Sequence, residues 1–222
     1  MTNTLHRYGD SFDDDFIVFA IPARGLNDKN AAEKQRSFLE IARKHNPVNM
    51  GDASHGAIFR PSKELNPSVH WRRDDERDFD AVVNCVSCPS TVSAVFDNAG
   101  AVVAFIKELK QADLGLSINI SASLEKAQEC ARLAGLERHS VEYSLGFFGQ
   151  TDRMADRHTL ELATMCGHGM LSFSFVRKLV EWVKQGRRSP EQASATLARF
   201  CSCGIFNPTR ACRLLEEAKK HS

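Results

Sequence analysis

Strand-like and helix-like patterns alternate over residues 79–145, and this alternation most restricts the folds open to the chain. The predicted elements are, in order, a strand at 80–84, a helix at 92–111, a strand at 114–122, a helix at 124–134 and a strand at 140–145. Strands joined through helices favour crossover connections and neighbouring parallel strands. The sequence therefore predicts an α/β core, or a ferredoxin-like α+β core, whose sheet is covered by helices.

The preceding segment adds a strand and a helix to this core. Residues 15–22 form a short apolar run (DFIVFAIP) that is typical of a buried strand. Residues 30–45 follow as an amphipathic helix, which should end before Pro47 because a proline pushes the preceding residue out of the α region. Residues 46–78 are irregular, with two short extended pieces predicted at 57–60 and 69–72.

From residue 156 onward only helical patterns occur. Four helices are predicted, at 157–165, 172–185, 190–200 and 208–219. Ser189 and Gln192 form a capping-box pattern around Pro190, and Asn207 with Pro208 repeats the cap-plus-proline start. We therefore predict an α/β core over residues 1–149 and a helical C-terminal subdomain over 150–222, which carries cysteine-rich loops and packs against the sheet.

Charge and motifs exclude several classes of function. The chain has 29 Lys+Arg against 28 Asp+Glu, so it lacks the basic excess typical of nucleic-acid binding. No run approaches the roughly 18 apolar residues of a membrane span, and the N-terminus lacks a secretory signal pattern. Dinucleotide-binding, phosphate-loop, HExxH and GxSxG motifs do not occur. We expect a cytoplasmic protein that binds neither nucleic acid nor membranes.

Seven cysteines dominate the candidate chemistry. An odd number of cysteines in a reducing compartment argues against a disulfide framework and favours metal binding or thiol chemistry. Five of them lie within two residues of Gly, Pro or Ser at predicted element ends: Cys85, Cys88, Cys166, Cys201 and Cys203. Cys130 and Cys212 fall inside predicted helices, where we expect them to pack as small apolar residues.

The Cys201-x-Cys203 pair directly precedes the predicted helix that begins at Pro208. The positive end of that helix favours thiolates or an anionic ligand. Cys166 closes an earlier helix and is followed by a loop that contains His168. The helices between these loops are joined by a short turn and should run antiparallel, which returns Cys201 toward Cys166. We therefore predict that the three cysteines share one site.

Three chemistries are open for these thiols. Cys166, Cys201 and Cys203 suit a [4Fe–4S] cluster, and the addition of His168 gives a Cys₃His zinc site. Cys85 and Cys88 would serve as further metal ligands or as a separate redox dithiol. We prefer the iron–sulfur cluster because one ligand stands far in sequence from the CxC pair, whereas zinc sites commonly pair two compact ligand loops.

The predicted function is a cytoplasmic iron–sulfur lyase or reductase that acts on a small anionic substrate. The alternatives are a non-catalytic zinc-stabilised binding or regulatory domain and a thiol redox protein. His55, in the irregular segment, would act as acid or base, and Arg72 or Arg73 would clamp a substrate carboxylate. Glu142 would be a base if its face of the predicted strand lines a cleft.

Overall fold

The computed structural model describes residues 7–9, 12–60 and 78–220 of the chain. The strands are β1 (Phe16–Ile21), β2 (Asn49–Asp52), β3 (Gly56–Ala57), β4 (Val92–Phe96) and β5 (Ser117–Ser121). The helices are α1 (Ala31–Lys44), α2 (Phe79–Cys85), α3 (Ala99–Ala112), α4 (Leu124–Leu133), α5 (Arg157–Thr164), α6 (Phe173–Lys184), α7 (Pro190–Ala198) and α8 (Pro208–Lys220). The predicted fold class, a core of mixed strands and helices followed by a helical C-terminal part, is confirmed.

The five strands form one sheet in the order β3-β2-β4-β1-β5, and every neighbouring pair is antiparallel. The units β1-α1-β2 and β4-α3-β5 each join two strands that run in the same direction but have another strand between them. This split connection is the ferredoxin-like alternative. The prediction of neighbouring parallel strands is wrong because each crossover skips one position in the sheet.

Helices cover both faces of the sheet. Phe16 and Val18 of β1 pack with α1 and α3 on one face, and Ile17 and Phe19 pack with the C-terminal helices on the other. Because β1 is an inner strand that is buried on both faces, its sequence is apolar throughout instead of alternating. The four C-terminal helices α5 to α8 form the layer on the second face, which we call the C-terminal layer.

The C-terminal helices begin at the predicted caps. The Ser189 side chain accepts from the Gln192 backbone N–H at 3.2 Å, and the Gln192 side chain accepts from the Ser189 N–H at the same distance. Asn207 Oδ1 accepts from the Arg210 N–H at 2.9 Å. In the described part of the chain no strand follows β5. The helices α5 to α8 share an apolar core with the sheet, so packing does not mark a boundary between two units. The domain boundary at 149/150 stays a prediction.

Two predicted elements have the wrong type. Residues 79–85 form helix α2 instead of a strand, because Asp78 accepts from the Ala81 N–H at 2.8 Å and caps a helix there. The predicted helix at 92–111 is strand β4 followed by helix α3, and Asn98 caps α3 by accepting from the Ala101 N–H at 2.8 Å. Both segments are apolar runs whose secondary structure depends on a polar cap beside them.

The predicted strand at 140–145 is absent. This segment has no regular secondary structure and pairs with no described strand, and Val141, Tyr143 and Leu145 are exposed by 43%, 61% and 76%. The extended piece predicted at 57–60 includes part of β3 and a bridge from Ala57 to Arg60. The piece predicted at 69–72 lies outside the described residues. Among the described helices, none combines the length and apolar character that crossing a membrane requires.

Candidate functional site

Cys166, Cys201 and Cys203 come together between the C-terminal layer and the sheet. Cys201 Sγ lies 3.8 Å from Cys203 Sγ, which in turn lies 3.5 Å from His168 Nδ1. The Cys166 thiol is hydrogen-bonded to the Cys201 sulfur. The three cysteines are buried, with exposures of 1%, 0% and 3%, whereas His168 is exposed. The structure thus brings four predicted site residues into one row, in the order Cys166, Cys201, Cys203, His168.

The row is not closed into a compact group. A compact metal site would place at least three His, Cys, Asp or Glu ligand atoms within 4.8 Å of one another. In the described ranges one group meets this distance, and it lies outside the row: Glu191, Cys212 and Glu216. Contacts in the cysteine row therefore join only successive members. Its two end members, Cys166 and His168, belong to the same loop.

The loop after Cys166 wraps around its sulfur. The backbone N–H groups of His168 and Met170 both donate to the Cys166 sulfur. Gly167 and Gly169, with φ of +71° and +66°, allow the turns that point these N–H groups inward. Hydrogen bonds from N–H groups favour the thiolate over the thiol.

The segment 201–207, which we call the CxC loop, supplies the same kind of donor to the other two sulfurs. The Ile205 N–H donates to both Cys201 and Cys203, and the Phe206 N–H donates to Cys201. The donors to these sulfurs thus lie in the loop before α8. The Arg210 N–H in the first turn of α8 donates to the Asn207 side chain that caps the helix, and not to a cysteine sulfur. For this group, the expectation that the start of α8 faces the thiols is not met.

The CxC loop is fixed to the sheet by direct backbone contact. A Cβ on Gly51 of β2 would lie 2.7 Å from the Cys203 carbonyl, and one on Gly204 would lie 2.4 Å from the Gly51 nitrogen. Ser93 on β4 donates to the Cys203 carbonyl at 2.7 Å, and Asn49 on β2 donates to a CxC-loop carbonyl at 2.9 Å. Asn49, Gly51 and Ser93 share one face of the sheet, and they position both sulfurs of the pair.

Hydrogen bonding makes the three thiols unequal. The pKa of Cys201 is lowered well below its ordinary value, first because the Cys166 and Cys203 thiols donate to its sulfur. The pKa values of Cys166 and Cys203 are raised, first by those same bonds and then by burial. Of the three sulfurs, Cys201 is therefore the one at which negative charge is favoured most.

A buried cation acts on the Cys201 sulfur. Arg7 forms an ion pair with Asp15, and both side chains are almost completely buried. Burial and then repulsion by Arg210 lower the pKa of Arg7, while Cys201 and Cys166 act in the opposite direction. The guanidinium of Arg7 therefore compensates negative charge on these two sulfurs.

A buried ion network links this cation to the C-terminal layer. Arg210 lies 3.2 Å from Asp15 and 3.0 Å from Glu161, and all three side chains are at most 3% exposed. Asn207 donates to Asp15 at 3.0 Å. No sequence pattern indicated this network, because its members lie in different elements and each resembles an ordinary surface residue in sequence.

The remaining cysteines lie outside the row. Cys85 and Cys88 are exposed thiols at the end of α2, whose apolar residues pack on the opposite face of the sheet. Cys130 is buried in that same core, as expected. Cys212 is partly exposed beside Glu191 and Glu216, and burial followed by repulsion from these carboxylates raises its pKa to about 11.

The three predicted catalytic residues have different surroundings. His55 Nδ1 lies 2.7 Å from Asp52 Oδ2, and its Nε2 lies 3.1 Å from Ser87 Oγ. Glu142 lies in the exposed segment 140–145 and lines an open cleft beside β5. Arg72 lies outside the described residues. Asp52 and Ser87 were not predicted from the sequence, although Asp52-x-x-His55 at the end of a strand is a detectable pairing signal.

No protein-family model, curated protein or solved structure matches this chain.

Proposed function

We propose that the chain binds one Zn²⁺ through Cys166, Cys201, Cys203 and His168. With Zn–S distances of about 2.3 Å and Zn–N distances of about 2.0–2.1 Å, a tetrahedral site separates two sulfurs by about 3.8 Å and a sulfur from a nitrogen by about 3.6 Å. The observed distances of 3.8 Å and 3.5 Å fit two edges of such a tetrahedron. The proposal rests chiefly on this agreement.

The remaining edges of the tetrahedron would form at the ends of the row. Cys166 already contacts Cys201 and shares its loop with His168, so rotation of these two side chains would close the site around an ion. The clamped CxC loop would not need to move. Zinc ligands are thiolates, so binding would also release the proton of each thiol that becomes a ligand. The N–H donors and Arg7 favour the resulting negative charge.

The proposed ion is structural. Its ligands would come from the loop after α5 and from the CxC loop, so the ion would fasten two parts of the C-terminal layer beside the sheet. Structural zinc contributes directly to folding energy, and closed four-ligand sites leave no position for a substrate. The proposed function is therefore that of a cytoplasmic, zinc-stabilised binding or regulatory domain.

A [4Fe–4S] cluster, serving a lyase or reductase with a small anionic substrate, is the second candidate. It is favoured by the exposure of the fourth corner at His168, where an iron would be open to such a substrate. Sulfurs bound to different irons stand about 6 Å apart or more. Cys201 and Cys203 would have to separate from 3.8 Å, and the clamp on the CxC loop opposes this movement.

Anaerobic purification followed by metal analysis distinguishes the two candidates. One equivalent of zinc in a colourless protein supports the proposed site, and a brown protein with broad absorption near about 400 nm supports the cluster. Cys201→Ser and Cys203→Ser should lose the metal, whereas Cys130→Ser should retain it and lose only packing energy. A folded wild-type protein that binds neither zinc nor iron would contradict both candidates.

A further inference from the structure

A second constellation lies on the other side of the molecule from the C-terminal layer. Asp52, His55 and Ser87 form a continuous hydrogen-bonded chain, with 2.7 Å from Asp52 Oδ2 to His55 Nδ1 and 3.1 Å from His55 Nε2 to Ser87 Oγ. The Asp52 side chain is fully buried, the His55 side chain is 25% exposed, and Ser87 is exposed. The chain thus runs from the interior to the surface, with its hydroxyl outermost.

The fold holds the acid and the base in a fixed arrangement. Asp52 is the last residue of β2, and His55 lies in the tight turn that leads to β3. The Ser54 N–H donates to Asp52 Oδ1 at 2.7 Å, which leaves Oδ2 directed at His55. The carboxylate therefore selects the tautomer with the proton on Nδ1, and Nε2 is left to accept from the Ser87 hydroxyl.

The loop that carries Ser87 is held independently. Ser90 donates to the Ser54 hydroxyl at 2.9 Å, and its backbone N–H donates to Gln35 on α1 at 3.1 Å. Gln35 is completely buried, so this connection anchors the loop to the core. The distance between His55 and Ser87 is thereby set by the packing of α1 as well as by the two loops.

We propose that Ser87 is the nucleophile of an ester-hydrolysing site in which His55 is the general base and Asp52 orients His55. Ser, His and Asp linked in this order form the arrangement that activates serine on unrelated folds. The site shares no residue with the proposed zinc centre. It uses His55 in the predicted acid–base role and adds two partners that the sequence analysis did not identify.

The reaction needs only the ester and water. Ser87 Oγ bonds to the acyl carbon while its proton moves to His55 Nε2, and His55 then protonates the alcohol oxygen as the ester bond breaks. Water attacks the acyl-serine, gives its proton to His55, and the carboxylic acid leaves as Ser87 regains its proton.

The surroundings favour an ester over an amide as the substrate. The backbone N–H groups of Ser87 and Cys88 have no acceptor within the described ranges, so they are available to an oxyanion. Ser87 is exposed, and donors in contact with water stabilise an oxyanion less than buried ones. An ester, whose alkoxide leaves more readily than an amine, is therefore the class of substrate that this site fits.

The test uses p-nitrophenyl acetate hydrolysis and labelling by a fluorophosphonate, with the modified residue located by mass spectrometry. All variants carry Cys85→Ala and Cys88→Ala, because exposed thiols also attack activated esters. We expect label on Ser87, and a loss of at least about 100-fold in both rates for Ser87→Ala and His55→Ala, the range for loss of a nucleophile or general base. Both replaced side chains reach the surface, so we expect the variants to fold. Circular dichroism tests this expectation.

Matched controls are available in exposed positions. Ser174→Ala and His139→Ala remove a serine and a histidine that lie elsewhere on the surface, and they should keep the parent rates. Asp52→Asn should lower the hydrolysis rate. The fluorophosphonate should still modify Ser87 in this variant, at a lower rate. Absence of label on Ser87, or hydrolysis by Ser87→Ala at the parent rate, would overturn the proposal.

Discussion

Gly51 on β2 and Gly204 in the CxC loop touch through their backbones: a Cβ on Gly204 would stand 2.4 Å from the Gly51 nitrogen. Gly204 also has φ of +77°, a conformation that residues with side chains rarely adopt. This contact brings Cys203 against the sheet and fixes its carbonyl beside Ser93. The position of the CxC pair therefore depends on two residues that carry no side chain.

Gly204→Ala should destabilise the protein more than an alanine in the same backbone conformation elsewhere. Gly186 has φ of +70°, and no atom lies within 4 Å of the position that an alanine methyl group would take there, so Gly186→Ala should cost only the conformational strain, about 1–2 kcal/mol. Gly204→Ala adds a backbone clash and should cost at least about 2 kcal/mol more. Urea unfolding measures both, and equal losses would show that the contact is not rigid.

Zinc removal should lower the thermal midpoint of the wild-type protein. An ion that binds only the folded state adds about 4.1 kcal/mol when its free concentration is 1,000 times Kd. In Cys130→Ser, the chelator should lower the thermal midpoint by the same amount as in the wild type, although both midpoints of this variant are lower. Cys201→Ser should show none, and a chelator effect of wild-type size in that variant would argue that zinc binds elsewhere.

Arg210→Met should be strongly destabilising. It removes the 3.2 Å and 3.0 Å contacts to Asp15 and Glu161 and leaves Glu161 buried with its charge poorly compensated, which costs about 3–5 kcal/mol. Arg213→Met on the same helix is the control, because its ion pairs with Asp14 and Glu217 are exposed and contribute less than about 1 kcal/mol. Similar unfolding free energies for the two variants would contradict the expectation that the buried ion network contributes more stability than the exposed ion pairs.

Cys212 should become a stronger acid when a neighbouring carboxylate is removed. Its pKa is raised to about 11 by burial, by Glu191 and by Glu216. Glu216→Gln removes a negative charge that disfavours the thiolate, so the pH midpoint for alkylation by iodoacetamide should fall. Glu217→Gln is the control, since Glu217 pairs with Arg213 instead. An unchanged midpoint in Glu216→Gln would mean that burial and Glu191 raise the pKa without a contribution from Glu216.

The C-terminal helices were predictable because their signals are local. A capping box at Ser189, a cap followed by proline at Asn207, and apolar stripes within single helices mark the boundaries without information from the rest of the chain. The segment at 140–145 shows the converse. Its alternation satisfies the strand pattern, but a strand also needs a partner with free hydrogen-bonding groups, and sequence alone does not supply one.

The approach of the candidate ligands in space was predictable to a similar degree. Local spacing identified Cys166, Cys201, Cys203 and His168, and the short turn between α6 and α7 predicted their approach. The residues that hold them were not identifiable, because Asn49, Gly51 and Ser93 are ordinary members of short strands until the CxC loop lies on them. Ser87 likewise gains its relationship with His55 only through the packing of two separate loops.

The covering of one sheet face by α5 to α8 has a consequence for synthesis. Asn49 and Phe206, which are hydrogen-bonded, are 157 residues apart in the chain. At about 5–20 residues per second, a ribosome needs roughly 3–10 s to make the stretch from α5 to the start of α8. Until those helices are made, the apolar surface of Ile17, Phe19 and Val95 lacks the partners that cover it in the folded protein. A chaperone that shields this surface would increase the yield of folded protein without contacting either candidate site.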